Sequence, residues 1–326
     1  PHPTRQSDMS ELRQHWKVIF ACALGAAAGI TGMSVYALSV LIGPLSEAFD
    51  WSRAEVSGAK TILTAGFVIT GPFVGYLADR IGVRKIGILS LAMLSVGMYS
   101  MTQIGPDIRY FYLALFMLAV AGCGTTALVW TRAVASWFRE TRGLALALTL
   151  TGPGVVGVIT PTLLDSLMQR YDWRAAYIAM GTFAAITLLP LLLYFRENRT
   201  DSVAGRGINA PAPVTHSGVS LPEAVRSRRF WQLGAGFFLI GAVVSGLMVH
   251  LVPLIIDAGI SRELAIRVAG ILGIAVILGR LGVGVLVDRF HPPLVASIFL
   301  IMPVAGCLLL LGQPGSVGPI MVAVAC

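Results

Sequence analysis

The sequence predicts an all-α protein that crosses a membrane many times, built as two helix bundles related by an internal repeat. Three observations predict it. Of 326 residues, 56% are hydrophobic and only 12% charged, about half the charged share of a soluble globular domain. The apolar residues gather in runs of about 20, the length that crosses ~30 Å of hydrocarbon. The second half also repeats the first. A gapless shift of 209 residues pairs Gly25 with Gly234, Gly32 with Gly241, Pro44 with Pro253, Ser52 with Ser261, Arg53 with Arg262, Leu77 with Leu286 and Asp79 with Asp288. Chance agreement between Gly- and Leu-rich helices seldom places Pro, Ser-Arg and Asp-Arg in one register.

Each element follows in order. Residues 1–17 are polar, and apolar helices are expected at 18–42, 54–78, 86–103, 110–132, 143–164 and 175–195. A polar stretch at 196–229, with Pro211, Pro213 and several Gly and Ser, reads as a linker. Further helices are expected at 231–256, 264–287 and 294–312, and Cys326 lies inside a tenth. The layout is an N-terminal six-helix bundle over 1–195, a cytoplasmic linker over 196–229 and a C-terminal bundle over 230–326. Ser52 with Glu55 three residues later is a capping box at the start of the second helix.

Charge sets the orientation. The segments 1–17, 79–85, 132–142, 196–229 and 280–289 carry 17 of the 24 Lys and Arg, the opposite loops 6, and Lys60 lies within the second helix. The N-terminus and the linker are therefore expected in the cytoplasm. The net charge of +8 is a topological signal confined to alternate short loops, not a nucleic-acid patch. The four cysteines, Cys22, Cys123, Cys307 and Cys326, sit in apolar runs without metal-ligand spacing and read as small packing residues. No cleavable leader, no His-Glu-x-x-His pair and no phosphate-binding loop is present in the sequence, which argues against an enzyme, an ATP-driven pump, a metal site or a bound cofactor.

The chain is organised around Gly75-Tyr-Leu-Ala-Asp79-Arg80-Ile-Gly82-Val-Arg84-Lys85. Asp79 falls where the second helix leaves the bilayer, and Gly82 allows a turn with φ > 0. Arg80, Arg84 and Lys85 hold the loop on the cytoplasmic side. A weaker copy stands at Gly284-Val-Leu-Val-Asp288-Arg289-Phe-His291. The first stretch resembles the loop signature of the major facilitator superfamily, with Val83 where that family usually has a basic residue. Halves related by an axis along the membrane normal are the signature of the same superfamily. The resemblance implies twelve helices, of which about ten are present, and a C-terminal truncation. It also implies a conformational-switch role for Gly75, Asp79, Arg80, Gly82, Arg84, Lys85, Asp288 and Arg289.

Within that superfamily the chain resembles the monocarboxylate transporters and the oxalate:formate antiporters. The residues that carry this are Phe49-Asp-Trp-Ser-Arg-Ala-Glu55, Trp137-Phe-Arg-Glu-Thr-Arg142-Gly143, Asp172-Trp-Arg174 and Gly279-Arg280-Leu-Gly282-Val-Gly284. The resemblance implies that Arg280 binds a substrate carboxylate, for which a planar guanidinium fork is suited. Arg280 stands eight residues before Asp288, about 12 Å inside the membrane, where an ionisable group is costly and faces a cavity or a partner. The alternative is an Arg that reaches back to the cytoplasmic surface.

Three further residues are candidates for substrate binding. His250 titrates near neutral pH or serves as a neutral hydrogen-bonding group between helices. Lys60 attracts anions near the outer side or reaches to that surface. Tyr36 hydrogen-bonds a substrate or packs. The chain departs from the animal-type monocarboxylate carriers at Val276 and at Leu38, Ser39 and Val40, and it has no Arg beside Gly122 and Gly124. Gly152-Pro153-Gly154 partly resembles the motif of proton-driven exporters, with Leu148 in place of its earlier Gly. The expected function is a secondary transporter of a small organic anion, a mono- or dicarboxylate, by alternating access; the alternative is a proton-driven drug or metabolite exporter of the same fold. The expected partners are that anion, protons or a counter-anion, and the lipid bilayer, with no nucleic acid. The expected setting is a monomer in the cell membrane, of bacterial inner-membrane type.

Overall fold

A computed structural model describes residues 5–138, 140–196, 221–257 and 262–312. Two compact units emerge, one of residues 1–202 with 276–295 and one of 203–275 with 296–326. In the first, the helices are α1 (Arg5–Ala27), α2 (Ile30–Phe49), α3 (Arg53–Ile81), α4 (Val83–Ser100), α5 (Ile108–Gly122), α6 (Ala127–Ala135), α7 (Arg142–Arg170) and α8 (Trp173–Tyr194). Then follow α9 (Leu221–Arg226), α10 (Arg228–Asp257), α11 (Arg262–Arg289) and α12 (Pro292–Gly312). Among the described residues, six stretches are long and apolar enough to cross a membrane: 53–81, 83–103, 108–135, 142–170, 173–194 and 292–309. Prolines stand inside α2, α3, α7, α8 and α12, as membrane helices tolerate.

Most elements fall where the apolar runs place them, with three differences. Residues 221–226, expected in the linker, form α9, and the indole N–H of Trp231 on α10 donates to the Val225 carbonyl at 2.8 Å. The hairpin after α3 shrinks to one residue, Gly82, at φ 92° and ψ 147°. The predicted φ > 0 is observed there, and Asp79 and Arg80 lie in the last turn of α3, not beyond it.

The third difference is that the first and fourth predicted helices are both broken. The first divides at Ala28–Gly29 into α1 and α2, and the fourth divides at a 3-10 turn, Cys123–Thr125, into α5 and α6. The breaks repair each other. The backbone N–H of Ile30 donates to the Thr125 hydroxyl oxygen at 3.0 Å, that hydroxyl donates to the Gly122 carbonyl at 2.6 Å, and the indole of Trp130 donates to the Thr125 carbonyl at 2.9 Å. Thr125 and Trp130 are fully buried. The indole ring is gripped by helices without side chains at the contact: a Cβ on Gly25 would come within 2.6 Å of it, and one on Gly87 within 3.0 Å. A Cβ on Gly29 would meet the Thr125 carbonyl oxygen at 2.5 Å. Gly29 thus admits the Thr125 backbone at the α1–α2 break, and Gly25 and Gly87 make room for the Trp130 ring beside it.

The helix ends remote from the α3–α4 turn are tied by aromatic rings and caps. Ser52 and Glu55 form the expected capping box on α3. Trp51 donates to the Pro106 carbonyl at 2.7 Å and stacks on Phe49, ring centroids 4.5 Å apart; Phe49 in turn leans on Trp173. Asp107 caps α5 and Asp172 caps α8, each accepting the backbone N–H two residues on at 2.9 Å.

Thr125→Val keeps the shape of the side chain but leaves the buried Ile30 N–H without an acceptor, at a cost of roughly 1–3 kcal/mol. The thermal midpoint of the purified protein in detergent should fall for Thr125→Val and hold for Thr125→Ser. Equal midpoints for the two variants would show that the break is held by packing alone.

Candidate functional site

The predicted switch residues separate into two clusters, both in the first compact unit. The first lies at the α3–α4 turn. Asp79 pairs with Arg132 on α6, both side chains being well exposed, so the pair is worth little to stability and is free to exchange partners. Arg80 lies over the Tyr76 ring, 4.6 Å from its centroid. Arg84 turns the other way and donates to the Leu192 carbonyl of α8 at 3.0 Å, while Lys85 is exposed. Open space surrounds Gly75, so no close approach demands glycine there.

The second cluster lies where α11 crosses α7. Asp288 accepts the backbone N–H groups of Gly143 at 2.5 Å and Leu144 at 2.8 Å. These belong to the first turn of α7, whose N-cap residue Thr141 provides no side-chain cap of its own. A carboxylate at a helix N-terminus satisfies orphan amides and meets the positive end of the dipole. A second carboxylate arrives from α1: Glu11 accepts the Thr141 N–H at 3.0 Å and its hydroxyl at 2.7 Å. Near it, the His15 ring leans on Trp137, with centroids 4.8 Å apart. The crossing itself is made by small residues, the usual means of close helix approach in a membrane. A Cβ on Gly143 would run into the Gly284 carbonyl and the Asp288 carboxylate, and a Cβ on Gly284 would stand 2.6 Å from the Ala147 Cβ. Arg289 is exposed one residue further along.

Two turns up the same crossing, Arg280 reaches back to α7 and donates from Nη1 to the Leu150 carbonyl at 2.6 Å. Its side chain is exposed, and among the described residues it has no ion-pair partner. Gly154 faces it: a Cβ there would lie 3.9 Å from Nη1. Arg280, Asp288 and the Gly152-Pro153-Gly154 stretch are thus brought together along one helix pair. Gly152 abuts the Ala23 carbonyl of α1, so this motif carries helix packing. Lys60 is exposed on α3, far along the chain from this crossing, beside a cavity of about 490 Å³ with Thr61, Thr64 and Val68. Tyr36 lies on α2 and His250 on α10; the side chains of both are outside the described residues.

Sequence reasoning missed Arg132 as the partner of Asp79, and Glu11 and the α7 amides as members of the second cluster. One signal was present. Gly143 stands at the start of the predicted fifth helix, and a residue without a side chain there permits close helix approach.

These features define a multi-pass, all-helical membrane protein. The sequence profile of the Major Facilitator Superfamily matches residues 24–326, and the chain belongs to that family. It is 23% identical over 296 residues to the uncharacterized MFS-type transporter YhjX of Escherichia coli strain K12, covering 90% of this chain and 72% of that one. It is 27% identical over 289 residues to Monocarboxylate transporter 11 of Homo sapiens, covering 86% of this chain and 58% of that protein's length. Among solved structures, the fucose:proton symporter FucP of E. coli matches with a TM-score of 0.68 at 17% identity, over 97% of this chain and 81% of that one. The family is one of transporters, not enzymes.

The glycine contact yields an expectation. Gly143→Val should force α7 and α11 apart and lower the thermal midpoint, whereas Gly279→Val, on α11 with open space around it, should leave it nearly unchanged. Equal losses in the two variants would show that the crossing does not depend on backbone contact.

Proposed function

We propose that the protein is a secondary transporter that moves a small organic anion, a mono- or dicarboxylate, by alternating access. The observation that carries this is the disposition of Arg280. A guanidinium has five N–H donors, and in Arg280 one nitrogen is committed to the Leu150 carbonyl while the side chain stays exposed. The carbonyl orients the plane without neutralising the charge. A carboxylate that accepts two of the remaining donors completes the pair in the bidentate geometry that arginine favours. The position matching Arg280 in the first half is Gly71, so the binding charge is asymmetric. That a relative carries the name monocarboxylate transporter supports the reading. Lys60, Tyr36 and His250 are assigned as further contacts, with His250 as the group that exchanges a coupling proton. The layout that goes with this is an N-terminal bundle over 1–195, a linker over 196–229 and a C-terminal bundle from 230, with the N-terminus cytoplasmic and the protein a monomer in a bacterial-type inner membrane.

The switch role is assigned to the carboxylates at the two clusters. Asp79 and Asp288 hold groups that a rocking motion has to release, Arg132 in one case and the α7 amides in the other. Alternating access then exchanges the exposed Asp79–Arg132 pair at small cost and releases the part-buried Asp288 from the α7 amides.

The test is binding of a carboxylate and its uncharged amide analogue to the intact protein and to Arg280→Ala and Arg280→Lys. The intact protein should prefer the carboxylate, Arg280→Ala should lose that preference by a factor of ten or more, in line with roughly 1.5–3 kcal/mol for hydrogen bonds to charged groups, and Arg280→Lys should fall between. A preference that survives in Arg280→Ala removes Arg280 from the site, and an intact protein without the preference overturns the anion reading and leaves the exporter. Uptake into liposomes reads the remaining assignments. Asp79→Asn should slow uptake with binding nearly intact, and His250→Gln should flatten its pH dependence. Lost binding in the first variant, or an unchanged pH profile in the second, would remove the corresponding role.

A further inference from the structure

The cations at the start of α4 are placed against electrostatic expectation. This helix opens Val83-Arg84-Lys85, with no acid in its first turn and no side-chain cap, although a helix N-terminus favours negative charge. Arg84 and Lys85 border a cavity of about 720 Å³ between α4 and α8, and Arg196, just past the end of α8, closes the rim. The lining contains no acid. Both arginines are held in place. The Arg84 guanidinium donates to the Leu192 carbonyl at 3.0 Å, and its Nε is buried without a hydrogen-bond partner. The indole of Trp137 donates to the Arg196 carbonyl at 2.9 Å, which fixes the backbone that carries the third cation.

Below this basic rim the walls turn apolar. Ile88, Leu89 and Leu192 line the rest of the cavity. At Ala92 it adjoins a second cavity, of about 940 Å³, bounded by Met93, Val96 and Gly97 of α4 and by Leu113 and Met117 of α5. The α4 residues of the two recur at helical spacing, 84, 85, 88, 89, 92, 93, 96 and 97, and so form one continuous stripe on the helix surface. Leu89, Met93, Val96, Leu113 and Met117 are 49–69% exposed, whereas the opposite side of α4, with Ile86, Leu91, Leu94 and Met98, is buried. From Arg84 to Val96 the stripe runs about 18 Å at 1.5 Å per residue, a little more than one leaflet of a hydrocarbon core ~30 Å thick.

We propose that this stripe is a binding site for one anionic phospholipid of the leaflet on the N-terminal side. The phosphodiester sits among Arg84, Lys85 and Arg196, and one acyl chain lies along Leu89, Met93 and Val96. The occupant follows from two joined properties: a rim of three cations without an acid, and an apolar groove of acyl-chain length that starts at that rim. A soluble phosphate fits only the first, and a zwitterionic lipid leaves the cations uncompensated. The site requires the membrane-spanning fold but not the carboxylate reading of Arg280, which lies on a different helix pair.

The experiment is native mass spectrometry of the full-length protein exchanged into detergent with phosphatidylglycerol and phosphatidylcholine in competition. The intact protein should retain one phosphatidylglycerol. The triple variant Arg84→Gln, Lys85→Gln, Arg196→Gln should hold it about a hundredfold more weakly, on the basis of roughly 1 kcal/mol per cation near an anionic lipid surface. The control Arg226→Gln, Arg228→Gln, Arg229→Gln removes the same charge elsewhere and should retain the lipid as the intact protein does. Val96→Trp, which keeps all three cations and fills the groove, should also release it. Equal loss in the triple variant and the control reduces the effect to general charge and overturns the proposal. Displacement by inorganic phosphate, or full retention in Val96→Trp, overturns it in favour of a free-anion site. Should the triple variant fail to fold, Lys85→Gln alone together with Val96→Trp decides the matter by the same readings.

Discussion

In hydrocarbon an unpaired peptide group has no water to turn to, and Thr125 is where the chain meets that constraint twice in one place. Two helices break at the same depth, and each break frees backbone groups. One threonine hydroxyl bridges them, accepting from Ile30 and donating to Gly122, while its own carbonyl takes the Trp130 indole. The ring of Trp130 then fills the space that Gly25 and Gly87 leave open. Five helices, α1, α2, α4, α5 and α6, are located by this one contact set. The tight seating of α7 on α1 at Gly152 adds a sixth.

The other end of α7 is held differently. Its N-terminus receives a carboxylate from α1 and another from α11; of their four hydrogen bonds, three come from backbone amides and one from the Thr141 hydroxyl. The helix dipole makes the site attractive to either acid. The two grips differ in kind from the Asp79–Arg132 pair, in which both partners are exposed side chains. The internal repeat therefore places an aspartate at corresponding helix ends, Asp79 and Asp288, while giving each a different partner.

The all-helical class, the helix sequence and the sense of the Gly82 turn were legible in the sequence because they follow from local physics: apolar runs, cap residues and a forced φ. The capping box at Ser52 and Glu55 was legible for the same reason. What the sequence did not disclose is contact across long separations. Nothing local to Thr125 announces Ile30, 95 residues away, and nothing local to Asp288 announces Gly143, 145 residues away. The broken helices were misjudged as continuous because a stretch such as Gly122-Cys-Gly-Thr125 is as apolar as its neighbours. Hydropathy registers burial in lipid and is blind to the course of the backbone. Of the site, Arg280 was singled out by its cost at depth, but the Leu150 carbonyl that orients it became visible only once α7 and α11 were paired.

The one-residue joint between α3 and α4 has a mechanical meaning. A peptide chain bends through φ and ψ alone, and Gly82 is the sole residue outside the two helices, so the joint offers little more than two soft torsions. Its left-handed setting, φ 92°, is one that a side chain would resist. Such a short coupling behaves as a crank and not as a tether. A tilt of α3 is delivered to α4 with almost no slack, and the groove along α4 rides with it.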